Sequence, residues 1–306
     1  MSDRKADAPR FPAEILSRIV SGFRGRIGFY LEDLTTGESE HHNGDQRFPT
    51  ASVCKIPVMI ELFRQVEEGV LSLNDRRQCQ GDISTHGSGL LSLLQDRPEL
   101  TLRDYCRLMI SVSDNVATDF LIDVVGLSSI NATLDKLGLP NTRTSVTLGR
   151  YHYRMVGMDD VPCNSENDKL QIERSRVKGI DFQSLSFQDS LENNVATPQD
   201  MAFILKQLYH GKLVSRQASE DMIEPLKSGR DRRMIRRDLD SNLSIAHKYG
   251  SSGRIKGDVG IVFLPTGPLI ISAFALAADD DARGDTAIAE ISRAAVQAFS
   301  PASIVT

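Results

Sequence analysis

Apolar residues recur every three or four positions in several segments of the chain, which is the spacing of amphipathic helices. The first such segment runs from Phe11 to Phe23, with Ile15, Leu16, Ile19 and Val20 on one side. Further helices are predicted after residue 55, at 101–110, at 130–137, after residue 197 and at 286–299, with a short helical piece at 90–94.

Two of these helices begin with capping signals. Thr101-Leu-Arg-Asp104 has the pattern of a capping box, with aspartate in place of glutamate. Thr197 comes directly before Pro198, so threonine is predicted as the N-cap and proline as the first helical residue.

Strand patterns occur only near the two ends of the chain. Arg26 to Leu34 predicts a strand, which a turn at 35–37 connects to a short second strand. Three more strands are predicted at Ala246–Gly250, Asp258–Leu264 and Leu269–Leu276. The predicted fold is therefore α+β, with an antiparallel five-stranded sheet built from both chain ends, flanking helices and a mainly helical middle region at about 56–245.

The chain has 306 residues, of which 40% are hydrophobic and 25% charged, enough to bury a large core. We predict a disordered segment at 1–10 followed by a single domain at 11–306. The segment at 141–180 is polar and irregular and is too long for an ordinary connection, which indicates a functional loop.

Charge and hydropathy exclude several classes of partner. The net charge of −5 argues against a nucleic-acid-binding surface. No stretch approaches the roughly 20 apolar residues of a membrane span, and residues 1–10 lack the apolar segment of a secretory signal. We expect a cytoplasmic protein as written, or a periplasmic or secreted one if an export signal was removed. The sequence predicts no oligomeric state.

The four cysteines are widely spaced at Cys54, Cys79, Cys106 and Cys163, with no Cys-x-x-Cys pair. This spacing argues against a zinc site and a dithiol redox motif. We therefore expect free thiols, no metal and no cofactor.

The most informative stretch is a polar turn that runs into an apolar helix and contains Ser52 and Lys55. Residues three apart share one helical face, so the lysine amine can reach the serine hydroxyl. Serine at a helix N-terminus also lies where backbone N–H groups favour negative charge, which suits acyl transfer. The same spacing recurs at Ser175 and Lys178, in a charged stretch that we interpret as surface.

Two more motifs follow in order: Ser113-Asp-Asn115 and Lys248-Tyr-Gly250. Together with Ser52-x-x-Lys55, they make the sequence resemble the serine β-lactamase and penicillin-binding protein superfamily, most closely the class A β-lactamases. The resemblance extends from about Phe11 to the C-terminus. It implies a β-lactamase/transpeptidase-like fold and a role in antibiotic resistance.

The resemblance also implies roles for individual residues. Ser52 is the expected nucleophile, Lys55 and Ser113 the proton-transfer groups, and Asn115 a ligand of the substrate amide. The remaining substrate-binding residues lie on the late strand: Lys248, Tyr249, Gly250 and Ser251. Lys248 is expected to face a substrate carboxylate. The backbone N–H group of Ser52, with that of Tyr249 or Ser251, is expected to form an oxyanion hole.

Two positions depart from the family pattern. Tyr249 replaces a small hydroxyl residue, so either its ring occupies space that a β-lactam carboxylate needs or the ring points away. The glutamate motif that supplies the deacylating base is absent, and Asp181 stands at about the right distance before Pro198. Rival carboxylates for that base are Glu166, Glu173 and Glu192.

Three functions remain open from the sequence. The leading interpretation is a serine hydrolase that forms an acyl-enzyme on Ser52 and cleaves an amide bond, with a β-lactam as the implied substrate. The second is an esterase, amidase or peptidase of the same fold acting on a non-lactam substrate. The third is an acylation sensor or binding module that does not turn over.

Overall fold

The computed structural model of the protein describes residues 10–79, 87–96, 98–229, 231–279 and 282–305. Apart from residue 10, the N-terminal segment predicted as disordered lies outside this part of the chain. Short pairs of strands occur beside the main sheet. The strands are β1 Gly25–Asp33, β2 Ser39–His42, β3 Phe48–Pro49, β4 Arg76–Gln78, β5 Glu99–Thr101, β6 Val195–Ala196, β7 Ser244–Ser252, β8 Ile255–Leu264 and β9 Gly267–Ala277.

The main sheet has five antiparallel strands in the order β2-β1-β9-β8-β7. Both chain ends contribute strands, because β1 pairs with β9 along its whole length. The predicted five-stranded sheet is confirmed. Since β7 is an edge strand, one side of its backbone remains unpaired within the sheet and can face another part of the molecule.

Helices occupy the middle and the two ends of the chain. They are α1 Ala13–Gly22, α2 Lys55–Glu67, α3 Leu102–Ser111, α4 Asn115–Val125, α5 Leu127–Lys136, α6 Leu148–Arg154, α7 Ser165–Lys178, α8 Pro198–Tyr209, α9 Arg216–Lys227 and α10 Ala282–Phe299. The helical middle region predicted from periodicity is therefore present.

The sheet separates two apolar cores because successive side chains of a strand point to opposite faces. On one face, Val259 and Ile261 of β8 pack with the helices of the middle region. On the other face, Val262 and residues of β1 and β9 pack with α10 and the N-terminal helix α1. Helix α2 lies inside the first core, and it buries side chains all around its first two turns.

The segment at 141–180 differs from its prediction as an irregular loop, because it contains helices α6 and α7. Each begins at a side-chain cap: Thr147 accepts a hydrogen bond from Arg150 N, and Asn164 accepts one from Asn167 N. Hydrophobic periodicity missed α7 because this helix is charged and has few apolar residues.

No single helix among the described residues is both long and apolar enough to cross a membrane. The consecutive helices α4 and α5 reach that length and composition only together, and they bend by 76° at Gly126.

The start of α8 provides a test of the predicted cap. The Thr197 hydroxyl accepts a hydrogen bond from Asp200 N at 2.9 Å, and the threonine is buried. Thr197→Ala removes this acceptor, so we expect the free energy of unfolding in urea to fall by about 1 kcal/mol. Thr197→Ser keeps the oxygen and should stay close to the parent. Equal urea midpoints for the alanine and serine variants would contradict the cap.

Candidate active site

Ser52 lies in a short 3-10 turn, Ala51–Cys54, that leads directly into α2 at Lys55. Thr50 ties the start of this turn to the chain before α8, because its backbone N–H donates to Asn194 O at 3.0 Å and its hydroxyl to the same oxygen at 3.1 Å. Ala51 adopts a left-handed backbone conformation with a φ of +44°. The serine therefore lies at the start of the helix as predicted, on a turn that Thr50 anchors at its N-terminal side.

The Lys55 amine is completely buried and has three oxygen neighbours. Its Nζ lies 2.7 Å from Ser113 O, 3.0 Å from Ser113 Oγ and 2.8 Å from Asn115 Oδ1. An ammonium donates to all three oxygens. A neutral amine can donate to the two carbonyl oxygens and accept the hydroxyl proton of Ser113, so this geometry serves both protonation states.

The loop before α4 presents Ser113 and Asn115 to Lys55. Ser113 has a left-handed φ of 57°, which is uncommon for a residue with a side chain. Asp114 between them caps α4 by accepting from Ala117 N at 2.9 Å, and it also accepts from Leu90 N at 2.6 Å and Leu91 N at 2.8 Å. The aspartate of this motif is thus structural, since it holds the loop in place.

Lys248 brings a second buried amine to the same hydroxyl. Its Nζ donates to Ser113 Oγ at 3.1 Å and to Tyr249 O at 2.8 Å. Burial lowers the pKa of Lys55 to about 8. Burial, and then repulsion by the Lys55 charge, lowers the pKa of Lys248 well below its ordinary value. Both amines are thereby brought towards the range in which lysine can exchange protons near neutral pH.

The edge of β7 lies directly against the Ser52 turn at Gly250. A Cβ atom on this glycine would collide with Thr50 O and lie 2.9 Å from Ser52 N. Ser251, the next residue, is partly buried. Only a glycine allows the strand edge to approach the backbone N–H of Ser52 this closely, as the predicted oxyanion hole requires.

Comparison with known proteins identifies the family of the chain. A model of the β-lactamase enzyme family matches residues 12–299. The chain belongs to the β-lactamase enzyme family. It is a β-lactamase-like serine hydrolase, and the family assignment supports activity on β-lactams at the level of the family.

Individual relatives and solved structures match along most of the chain. β-Lactamase L2 of Stenotrophomonas maltophilia is 25% identical over 88% of this chain and 79% of its own. A solved β-lactamase from Sphaerobacter thermophilus is 31% identical, with a TM-score of 0.74 over 94% of this chain and 96% of that one. The solved structure of PBP-A is 25% identical, with a TM-score of 0.76 over 96% of this chain and 99% of that one.

Tyr249 places its ring beside the lysine amine of the β-lactamase site. Lys248 Nζ lies 4.4 Å from the ring centroid, and the guanidinium carbon of Arg233 lies 5.3 Å from it. Arg233 is paired in turn with Asp231 at 2.8 Å. Burial raises the pKa of the tyrosine hydroxyl. The ring therefore occupies space next to Lys248, where the family pattern has a small side chain.

Asp181 is exposed and lies in a turn after α7. Its carboxylate accepts from Gln183 N at 2.8 Å, and its backbone N–H donates to Met155 O at 2.9 Å. In the described part of the chain no hydrogen bond joins it to Lys55 or Ser113. The rival carboxylates are also exposed, at Glu166, Glu173 and Glu192. The structure thus joins Lys55, Ser113, Asn115 and Lys248 in one hydrogen-bond network, and Asp181 lies outside that network.

Two residues near the site, Ser88 and Asp119, were not predicted from the sequence. Ser88 donates to Ser113 O at 2.7 Å, and its own carbonyl accepts from Asn115 N at 2.8 Å. The glycines on either side of it, at 87 and 89, both have positive φ angles, so the Gly-Ser-Gly sequence was an available signal. Asp119 lies one helical turn after Asn115, a spacing that also could have been recognised.

The contact between β7 and the Ser52 turn can be tested at Gly250. Gly250→Ala pushes the strand edge away from Ser52, so we expect covalent labelling by penicillin G to slow by about a hundredfold. Gly22→Ala is the matched control, because a Cβ at that position meets nothing within 4 Å. Labelling rates come from intact-protein mass spectrometry. A Gly250→Ala variant that labels as fast as the control would refute the close approach.

Proposed function

We propose that this β-lactamase family member hydrolyses a β-lactam through an acyl-enzyme on Ser52. The observation that carries the proposal is the position of the Ser113 hydroxyl, which lies 3.0 Å from one buried lysine amine and 3.1 Å from another. Such a network can accept a proton from the nucleophile on one side and deliver a proton to a leaving nitrogen on the other.

In the acylation step, Ser52 Oγ attacks the lactam carbonyl carbon while neutral Lys55 accepts the hydroxyl proton. The backbone N–H group of Ser52, together with that of Tyr249 or Ser251, stabilises the negative oxygen. The C–N bond then breaks, and the lactam nitrogen receives a proton from the Ser113 hydroxyl. Ser113 recovers its proton from the Lys55 ammonium, so the step ends with neutral lysine and an ester on Ser52.

The position of Tyr249 favours a second candidate function, the hydrolysis of a non-lactam ester or amide. Its ring lies beside Lys248, the group expected to face a substrate carboxylate. A substrate with a flat or apolar group at this position would pack on the ring, whereas a compact carboxylate would compete with it for the amine. The two functions use the same nucleophile and differ in the substrate they accept.

Ser52 provides the central test. Ser52→Ala removes the hydroxyl with little change in volume, so we expect complete loss of covalent labelling by penicillin G and by a fluorophosphonate, with an unchanged unfolding midpoint. The measurement is intact-protein mass spectrometry over time.

The matched control is Ser175→Ala, at the second Ser-x-x-Lys sequence of the chain, which lies in the last turns of α7. This variant should label like the parent. Retained labelling in Ser52→Ala, or its loss in Ser175→Ala, would overturn the assignment of the nucleophile.

Substitution of Tyr249 tests which class of substrate the protein accepts. Tyr249→Thr removes the ring beside Lys248 and supplies a small hydroxyl, so kcat/KM for penicillin G should rise by about tenfold, which corresponds to about 1.4 kcal/mol of transition-state stabilisation. Tyr249→Phe keeps the ring and should behave like the parent. If the threonine variant gains nothing over the phenylalanine variant, the ring does not restrict β-lactam binding.

A further inference from the structure

Hydrolysis of an acyl-enzyme needs a group that activates water, and the exposed Asp181 is held in a turn of its own. Two other carboxylates, Asp114 and Asp119, interact electrostatically with the Lys55 ammonium. Asp114 is completely buried and accepts three backbone N–H groups, which commits it to the loop before α4. Asp119 is partly accessible and has fewer partners.

Helix geometry directs Asp119 towards the same site as Asn115. The two residues are four apart on α4 and therefore share one face of the helix. Asn115 on that face accepts from Lys55 Nζ at 2.8 Å. Asp119 also interacts electrostatically with Lys55 and with the thiol of Cys54, the residue between the nucleophile and the lysine.

The carboxylate of Asp119 is positioned by the first turn of α6. Its Oδ1 accepts from Leu148 N at 2.6 Å and its Oδ2 from Gly149 N at 2.8 Å. Each oxygen of a carboxylate can accept more than one hydrogen bond, so a lone pair remains on each for a water molecule. The group is thus held in a fixed orientation without being saturated.

We propose that Asp119 is the general base that activates water to hydrolyse the ester on Ser52, an inference that rests on the proposed acylation of this serine. The water oxygen attacks the ester carbonyl carbon as its proton passes to the Asp119 carboxylate. The bond from that carbon to Ser52 Oγ then breaks, and the serine oxygen takes the proton from Asp119. The products are the free acid of the substrate and the restored hydroxyl.

The charged and titratable neighbours of Asp119 suit this role. Burial raises the pKa of its carboxyl to about 6, while the Gly149 and Leu148 N–H groups and the Lys55 charge act in the opposite direction. Asp119 also interacts with the thiols of Cys54 and Cys163. The carboxylate is ionised above its pKa, so the rate of deacylation should increase as the pH passes about 6 and should then become constant.

The test separates acylation from deacylation. Asp119→Asn should form the penicillin G adduct on Ser52 at the parental rate, but this adduct should decay at least about a hundredfold more slowly than that of the parent. Asp123→Asn is the matched control, because it makes the same chemical change at an exposed site one turn further along α4. Its adduct should decay at the parental rate. Adduct mass against time gives both rates, and circular dichroism checks that the variants are folded.

The pH profile distinguishes a base from a residue that only positions α6. The rate of adduct decay in the parent should rise with pH near pH 6. In Asp119→Asn this rate should be low and independent of pH. If the adduct of Asp119→Asn decays slowly but its decay rate still rises near pH 6, Asp119 only positions α6 and the proposal is overturned. A parental adduct that does not decay, or decays without any rise between pH 5 and 7, would overturn it without the variant. No adduct in the parent would refute the proposed acylation instead.

Discussion

The site depends on two lysine amines that are buried around one serine hydroxyl. Burying an ammonium costs several kcal/mol unless it finds compensating partners, and two ammoniums also repel each other. Hydrogen bonds to three oxygen atoms offset the cost of burying Lys55, and hydrogen bonds to two oxygen atoms offset that of burying Lys248. The lowered pKa values of both amines follow from the same burial, so the packing of the core and the proton chemistry of the site have one physical cause.

Helix α4 connects this centre with the rest of the site. Its first residue, Asn115, binds Lys55, its N-cap Asp114 holds the chain at 90–91, and Asp119 holds the start of α6. These polar contacts replace water around buried groups, and each is directed because a carboxylate or amide oxygen accepts along defined directions. The segments that surround Ser52 are therefore fixed relative to one another by a single helix whose opposite side belongs to the apolar core.

Much of the architecture followed from local sequence patterns. Period-two and period-3.6 hydrophobicity predicted the five-stranded sheet and most helices, and the caps at Thr101 and Thr197 were predicted from their own side chains. These features are local, since a cap or an amphipathic face depends on residues a few positions apart. The segment at 141–180 was predicted wrongly because α7 has almost no apolar face to reveal it.

By itself the sequence indicated which chemical groups the site contains, because three motifs in the order of the class A β-lactamases pointed to Ser52, Lys55, Ser113, Asn115 and Lys248. Only the tertiary structure decided which groups meet. Lys248 and Ser113 are 135 positions apart in the chain but share a hydrogen bond. Tyr249 could have faced either way, and Asp181 stays outside the network while Asp119, unremarked in the sequence, interacts with Lys55. Spacing along a chain fixes neighbours only within one helix or strand, whereas contacts between elements depend on how the whole core packs.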